Sequence, residues 1–203
     1  MEPIAATLVV ALIAGARAHR TTDLAPIRIS VVAAPGLVRT FIEEVVAEAD
    51  AIWQVAGIAI VWDPTTSDAA GGPGAELTVV LEEGPRRSAE GIAALGWIRF
   101  AGPDAPEPEI HLSRGNAEDL MARTATMHDR PVAWQNMMLA RALGRALAHE
   151  MGHYLLKSRA HTPHGLMQAV WPSAQLFSPD RLGFAIAPDE RDIARAHLPC
   201  APG

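Results

Sequence analysis

Apolar residues along this chain first alternate and then recur every third or fourth position. Ile27, Ile29 and Val31 share one side of a two-residue period, which predicts a strand over residues 27–33, ended by Pro35 and Gly36. The period then lengthens. Leu37, Phe41, Val45, Ala49, Ile52 and Ala56 form a single stripe, with Arg39, Glu43, Glu44 and Glu48 mainly on the wet side. This predicts an amphipathic helix over residues 37–56, closed by Gly57. Short apolar runs at 58–62, 77–81, 97–100 and 109–113 predict four more strands, and the last two are joined by the Pro-rich "AGPDAPEP". Prolines and acids beside such short strands point to a sheet edge, and residues 109–113 are the candidate edge.

A second helical period covers residues 132–156. Asp129 is placed to cap this helix and Pro131 fits its first turn. Beyond Met167 the pattern turns irregular, with prolines at 172, 179 and 188, and a short terminal helix is expected over 188–197. Strands that cluster ahead of the second helix predict an α+β fold rather than a doubly wound sheet.

Composition narrows this picture. A chain of 203 residues that is 49% apolar and 20% charged can bury one core without staples. A net charge of -6 with no basic run argues against nucleic acid as a partner. A single cysteine, Cys200, excludes an intrachain disulfide and a thiolate-based zinc site, so a metal site must use histidines and carboxylates. Residues 4–16 are apolar or small, and Ala16-Arg17-Ala18 follows a small-x-small cleavage pattern. This predicts a signal peptide over residues 1–18, although Glu2 stands where a basic residue is usual. A single catalytic domain over 19–203, secreted or periplasmic, is then expected. The apolar run is shorter than the ~20 residues that span a bilayer, so no stable membrane span is expected in the mature chain.

The candidate chemistry lies in "HEMGHYLLKSRAHTPHGLM", which holds four of the eight histidines. His149 and His153 are four apart on the second helix, so both imidazoles leave one face and can reach one Zn²⁺. Glu150, offset by one position, can act as a general base. A catalytic zinc needs a third ligand, and His161 and His164 are the near candidates. Asp180 is further off, and no glutamate occurs between Glu150 and Glu190.

These residues resemble the metzincin zinc endopeptidases, whose pattern is HExxHxxGxxH followed by a methionine turn. The resemblance covers nineteen residues of motif, and the order of strands and helices upstream agrees with it. It implies zinc as cofactor, His149 and His153 as ligands, Glu150 as base and Met167 as the turn methionine. It further implies a mixed twisted sheet of about five strands packed on two long helices, with an irregular C-terminal part. Leu156 stands where the metzincin glycine belongs, and Arg159 stands where the third histidine belongs. The chain also resembles bacterial peptidase sequences in which HExxH is followed by H-S/T-P-x-G-I/L-M. A metzincin third ligand comes six residues after the second. His161 comes eight after His153 and His164 eleven, so His161 is expected as the ligand and His164 is the alternative.

The function this implies is zinc-dependent hydrolysis of peptide bonds in a peptide or protein substrate, with an activated water and Glu150 as base. The alternatives are a zinc hydrolase of a non-peptide amide or ester, and a non-catalytic zinc-binding module. Other residues carry blander expectations. His111 is expected as an ordinary edge-strand histidine, and Tyr154 as a packing residue. Trp134 and Trp171 are expected in the core or at its rim. Met137 and Met138 are expected in the core, and His128 and His197 in solvent.

Overall fold

A computed structural model describes residues 24–62, 76–85, 94–124 and 129–200. The leader expected over residues 1–18 and the exposed position expected for His128 lie outside these described residues.

The described residues form a five-stranded mixed sheet and five α-helices, an α+β fold. In chain order these are β1 (Ile27–Ala33), α1 (Arg39–Gln54), β2 (Ile60–Trp62), β3 (Glu76–Glu82), β4 (Gly96–Gly102) and β5 (Ala105–Ser113). Then come α2 (Arg114–Ala122), α3 (Val132–Leu156), α4 (Ser173–Leu176), a 3₁₀ turn (Leu182–Phe184) and α5 (Pro188–Ala196). The strand order is β2-β1-β3-β5-β4. β1 pairs parallel with β2 and β3, β3 pairs parallel with β5, and β4 runs antiparallel along the far side of β5.

The two-residue period of the strands sets which side chains enter the core. Ile27, Ile29, Leu77, Val79, Leu81, Ile110 and Leu112 are all buried on one face, and α1 and α3 pack over it. Burying each such side chain contributes about 1.5–3 kcal/mol before the entropy cost of ordering it. The indole of Trp53 on α1 donates to the carbonyl of Ala148 at 3.1 Å, which fixes α1 against α3 next to His149. Among the described residues, no helix is long and apolar enough to cross a membrane.

Four local expectations are corrected. Residues 109–113 are not an edge: β5 lies between β3 and β4, and among the described residues β4 is the outermost strand on that side. Pro106 and Pro108 lie where β5 runs ahead of its first β3 partner, Glu109 opposite Thr78, while Pro106 faces Phe100 of β4 on the other side. Glu48 is buried at 6% exposure, because its place between Val45 and Ile52 turns it toward α3. Met137 is 41% exposed while Met138 is buried, since one helical step rotates a side chain by about 100°. Finally, α3 starts at Val132 with Pro131 in the N-cap position, so Asp129 lies two residues ahead of the cap and Pro131 outside the first turn. Besides the four-residue α4, one helix, α2, has no counterpart among the predicted elements. It opens on Ser113, whose hydroxyl accepts from the Asn116 amide at 3.1 Å, and a serine ahead of a helical stretch is a readable capping signal.

Candidate metal centre

His149, Glu150 and His153 lie in the last two turns of α3 and are 6%, 8% and 6% exposed. Each of the two imidazoles is oriented by a backbone carbonyl. His149 Nδ1 bonds the Leu166 carbonyl at 2.8 Å, and His153 Nδ1 bonds the Ser158 carbonyl at 2.7 Å. A carbonyl oxygen can only accept, so both Nδ1 atoms carry the proton. The two Nε2 atoms are then left with lone pairs, and they face each other 3.0 Å apart. Two facing lone pairs repel unless a cation lies between them. Two nitrogens each ~2.0–2.1 Å from one tetrahedral ion stand about 3.3 Å apart, close to what is observed.

His161 completes the group. Its ring stacks on that of His149 at 5.3 Å and meets that of His153 edge-on at 4.9 Å. The ligand atoms of His149, His153 and His161 all lie within 4.8 Å of one another, close enough to hold a metal ion. His164 is outside this group. It is exposed and lines a groove of about 500 Å³ with Gly165, Gln168 and Gln175. Three imidazoles with no thiolate suit zinc, copper or nickel better than hard cations such as calcium or magnesium.

The loop that delivers His161 follows from how α3 ends. The helix stops at Leu156, and Lys157 takes the left-handed conformation at φ 51° and ψ 41°. The amides of Lys157 and Ser158 both turn back to the His153 carbonyl, the latter at 3.2 Å. The reversal that glycine normally serves thus occurs one residue past Leu156, on a residue whose Cβ costs about 1–2 kcal/mol there. It brings the Ser158 carbonyl onto His153. Next, the Thr162 amide bonds the Met167 carbonyl at 2.9 Å, which ties the His161 loop to the Gly-Leu-Met turn. Gly165 sits at φ 81°, where a Cβ would come within 2.5 Å of the Ala185 carbonyl oxygen. That close approach lets the Leu166 amide bond the same oxygen at 2.9 Å, while the Leu166 carbonyl holds His149.

Met167 is 1% exposed and lies directly beneath the helix. A Cβ on Gly152 would stand 2.2 Å from its sulfur, so glycine between the two α3 histidines is what admits it. Glu150 lies against β4: a Cβ on Gly96 would come within 3.2 Å of its Cγ, and the Ile98 amide donates to its carboxylate.

Burial governs the charges. Removal from water lowers the His149 imidazole to about 4. The Leu166 carbonyl opposes this shift, and the neighbouring histidines reinforce it. His153 is lowered for the same first reason. Both rings are therefore neutral at pH 7 and keep their lone pairs. Burial raises the Glu150 carboxyl to about 8, against the pull of the Ile98 amide. A cation held by the histidines would lower it again by attraction.

Two supporting residues were not singled out by sequence. Arg145, one turn before His149, is 0% exposed. It bonds Glu48 at 2.9 Å and the carbonyls of Gln175, Leu176 and Asp180, and its guanidinium lies 4.4 Å over the Phe184 ring. Its place in the apolar stripe, four residues before His149, was the available signal. Phe100 on β4 meets the His153 ring edge-on at 6.5 Å. Trp171 stands perpendicular to His149 at 4.9 Å and rests on Phe184 at 5.3 Å, so it is a wall of the site.

The remaining residues fall away from the histidine group. His111 points to the sheet face opposite α3, between the inward Ile110 and Leu112, stacks flat on Trp97 at 5.1 Å and bonds Glu109 at 2.9 Å. It is an interior-strand residue rather than an edge one. Tyr154 and Trp134 pack against the core. His197 is exposed, with Nδ1 on the Leu155 carbonyl at 2.6 Å. Asp180 is exposed. In sequence, the chain matches no known family model and no curated protein.

Proposed function

We propose that this chain is a zinc-dependent peptidase of metzincin-like build, with His149, His153 and His161 as ligands and Glu150 as general base. The observation that carries the reading is the pair of Nε2 atoms facing each other at 3.0 Å, with both Nδ1 atoms committed to carbonyls. A site built only for packing has no reason to aim two lone pairs at each other. A buried carboxylate one position along the same helix adds the base that hydrolysis needs, and Met167 under Gly152 agrees with a methionine turn.

Zinc held by three histidines supplies Lewis acidity, which brings the pKa of water to ~7 and polarises a carbonyl oxygen. The chain supplies the rest. Glu150 takes the proton of the attacking water and delivers it to the leaving amine. The Leu166 and Ser158 carbonyls hold the two helical imidazoles in the tautomer that binds metal. β4, rather than residues 109–113, offers the edge: its one strand neighbour among the described residues is β5. An extended substrate backbone can add there as a strand, beside the carboxylate that Gly96 and Ile98 contact.

The test combines metal analysis with a peptide-library digest of wild type and Glu150→Gln. About one zinc per chain is expected in both, with turnover reduced on the order of 10²–10⁴-fold in the variant. A wild type that binds no transition metal, or a variant with normal hydrolysis, overturns the reading. Cleavage of esters or non-peptide amides alone moves it to the hydrolase alternative.

A further inference from the structure

The rim of the histidine site carries a charge pattern that its chemistry does not require. From Met151 to Pro179 the chain contains no aspartate or glutamate, although its net charge is -6. The same stretch carries Lys157 and Arg159, both exposed. Lys157 is occupied in turning the helix end, but Arg159 is fixed in place. Its guanidinium carbon lies 4.7 Å over the Phe100 ring, and Nη2 donates to the Phe100 carbonyl at 3.3 Å. Phe100 in turn meets the His153 ring edge-on. Arg159, Phe100 and His153 therefore form one continuous contact between the end of β4 and the histidines.

An exposed arginine normally samples many rotamers and gains little from one partner. Here stacking and the carbonyl bond hold the guanidinium plane. One of its five N–H donors goes to Phe100, and no carboxylate of the described residues pairs with it. The contrast with Arg99, one residue earlier on β4, is direct: Arg99 lies 3.5 Å from Glu107 and 3.3 Å from Glu109. A pre-oriented, unpaired fork beside a strand edge matches a planar carboxylate.

We infer that Arg159 is a specificity-determining residue that selects substrates carrying a carboxylate on the residue lying over Phe100. This rests on the peptidase reading of the histidine site. The carboxylate can come from an Asp or Glu side chain or from a chain terminus. A substrate strand pairing with β4 also meets Arg159 at Phe100, where the carbonyl is already taken, so the guanidinium marks one end of the pairing register.

The test is a digest by the zinc-loaded full chain of a peptide library varied in sequence, each member made with free and amidated C-terminus, read by mass spectrometry. Asp or Glu, or a free terminus, is expected to be enriched about 5-fold over Ala at one fixed distance from the cut. Loss of the preference on amidation assigns the terminus, and persistence assigns the side chain. Arg159→Glu should reverse the preference toward Lys and Arg, and Arg159→Lys should weaken it. A merely structural arginine would lower all substrates alike. Equal cleavage of acidic and neutral peptides, or a preference that survives Arg159→Glu, overturns the inference and leaves the peptidase reading standing. A metal-loaded chain that cleaves no peptide removes both.

Discussion

Two buried polar clusters lie one turn apart on α3, and they are completed in opposite ways. At Arg145 each nitrogen that donates finds an acceptor inside the protein. Nε bonds Glu48, and the terminal nitrogens bond the Gln175, Leu176 and Asp180 carbonyls. The other oxygen of Glu48 accepts from Arg181 at 2.6 Å. At His149 and His153 only the Nδ1 atoms meet a complementary partner, and the Nε2 atoms set lone pair against lone pair. A buried polar group left unmade costs about 1–3 kcal/mol, so one cluster is closed within the protein while the other keeps facing acceptors that the protein itself does not match. The closed cluster also serves the open one. It anchors residues 175–184, whose Phe184 supports Trp171 against His149, and the next residue, Ala185, holds Leu166.

Breaking the closed cluster should have the largest effect. Arg145→Ala leaves the Glu48 carboxylate buried, with Arg181 as its remaining partner, and strips three carbonyls. A loss of about 3–5 kcal/mol is expected in urea unfolding. Glu48→Leu with Arg145→Met removes both charges and should recover part of that loss. If Arg145→Ala keeps its stability yet no longer takes up metal, the two clusters form one device rather than two.

The open cluster should respond in metal affinity rather than in folding. His161→Ala is expected to weaken zinc binding by more than ~100-fold in competition titrations, beyond the 10–100-fold typical of residues that only orient a ligand. His164→Ala should stay within a few-fold of wild type. The reverse order would move the third ligand to the groove side of the loop.

Gly152 sharpens the comparison from below. Gly152→Ala drives a methyl group into the Met167 sulfur, and overpacking of this kind costs about 1–3 kcal/mol. Pairing it with Met167→Ala should restore part of the stability, measurable as a double-mutant cycle. A neutral single variant would mean that Met167 does not press on the helix.

Lys157→Gly should give the smallest change and the opposite sign. Removing the Cβ from a left-handed position is expected to stabilise the chain by about 0.5–1 kcal/mol in thermal unfolding. If stability falls instead, the lysine side chain contributes something that outweighs its backbone strain.

The local features were legible in the sequence because they depend on neighbours along the chain. The alternation of Ile27, Ile29 and Val31 marks β1, and the helical stripe from Phe41 to Ile52 marks α1. The four-residue spacing places His149 and His153 on one face, with Glu150 beside them. The lone cysteine by itself limits a metal site to histidines and carboxylates.

What the sequence could not decide were the matters set by partners far away in the chain. The pattern of β4 and β5 does not say which of them is outermost, because strand order depends on how a hairpin folds back on the sheet. Glu48 reads as solvated until Arg145, 97 residues later, packs against it. Both His161 and His164 can be reached by the loop. Spacing favours His161, and the left-handed turn at Lys157 and the Thr162 to Met167 bond bring it beside His149 and His153. Period and spacing are properties of the backbone and were determined by the sequence alone. Burial and edge position are properties of contacts across space, and only the tertiary structure decided them.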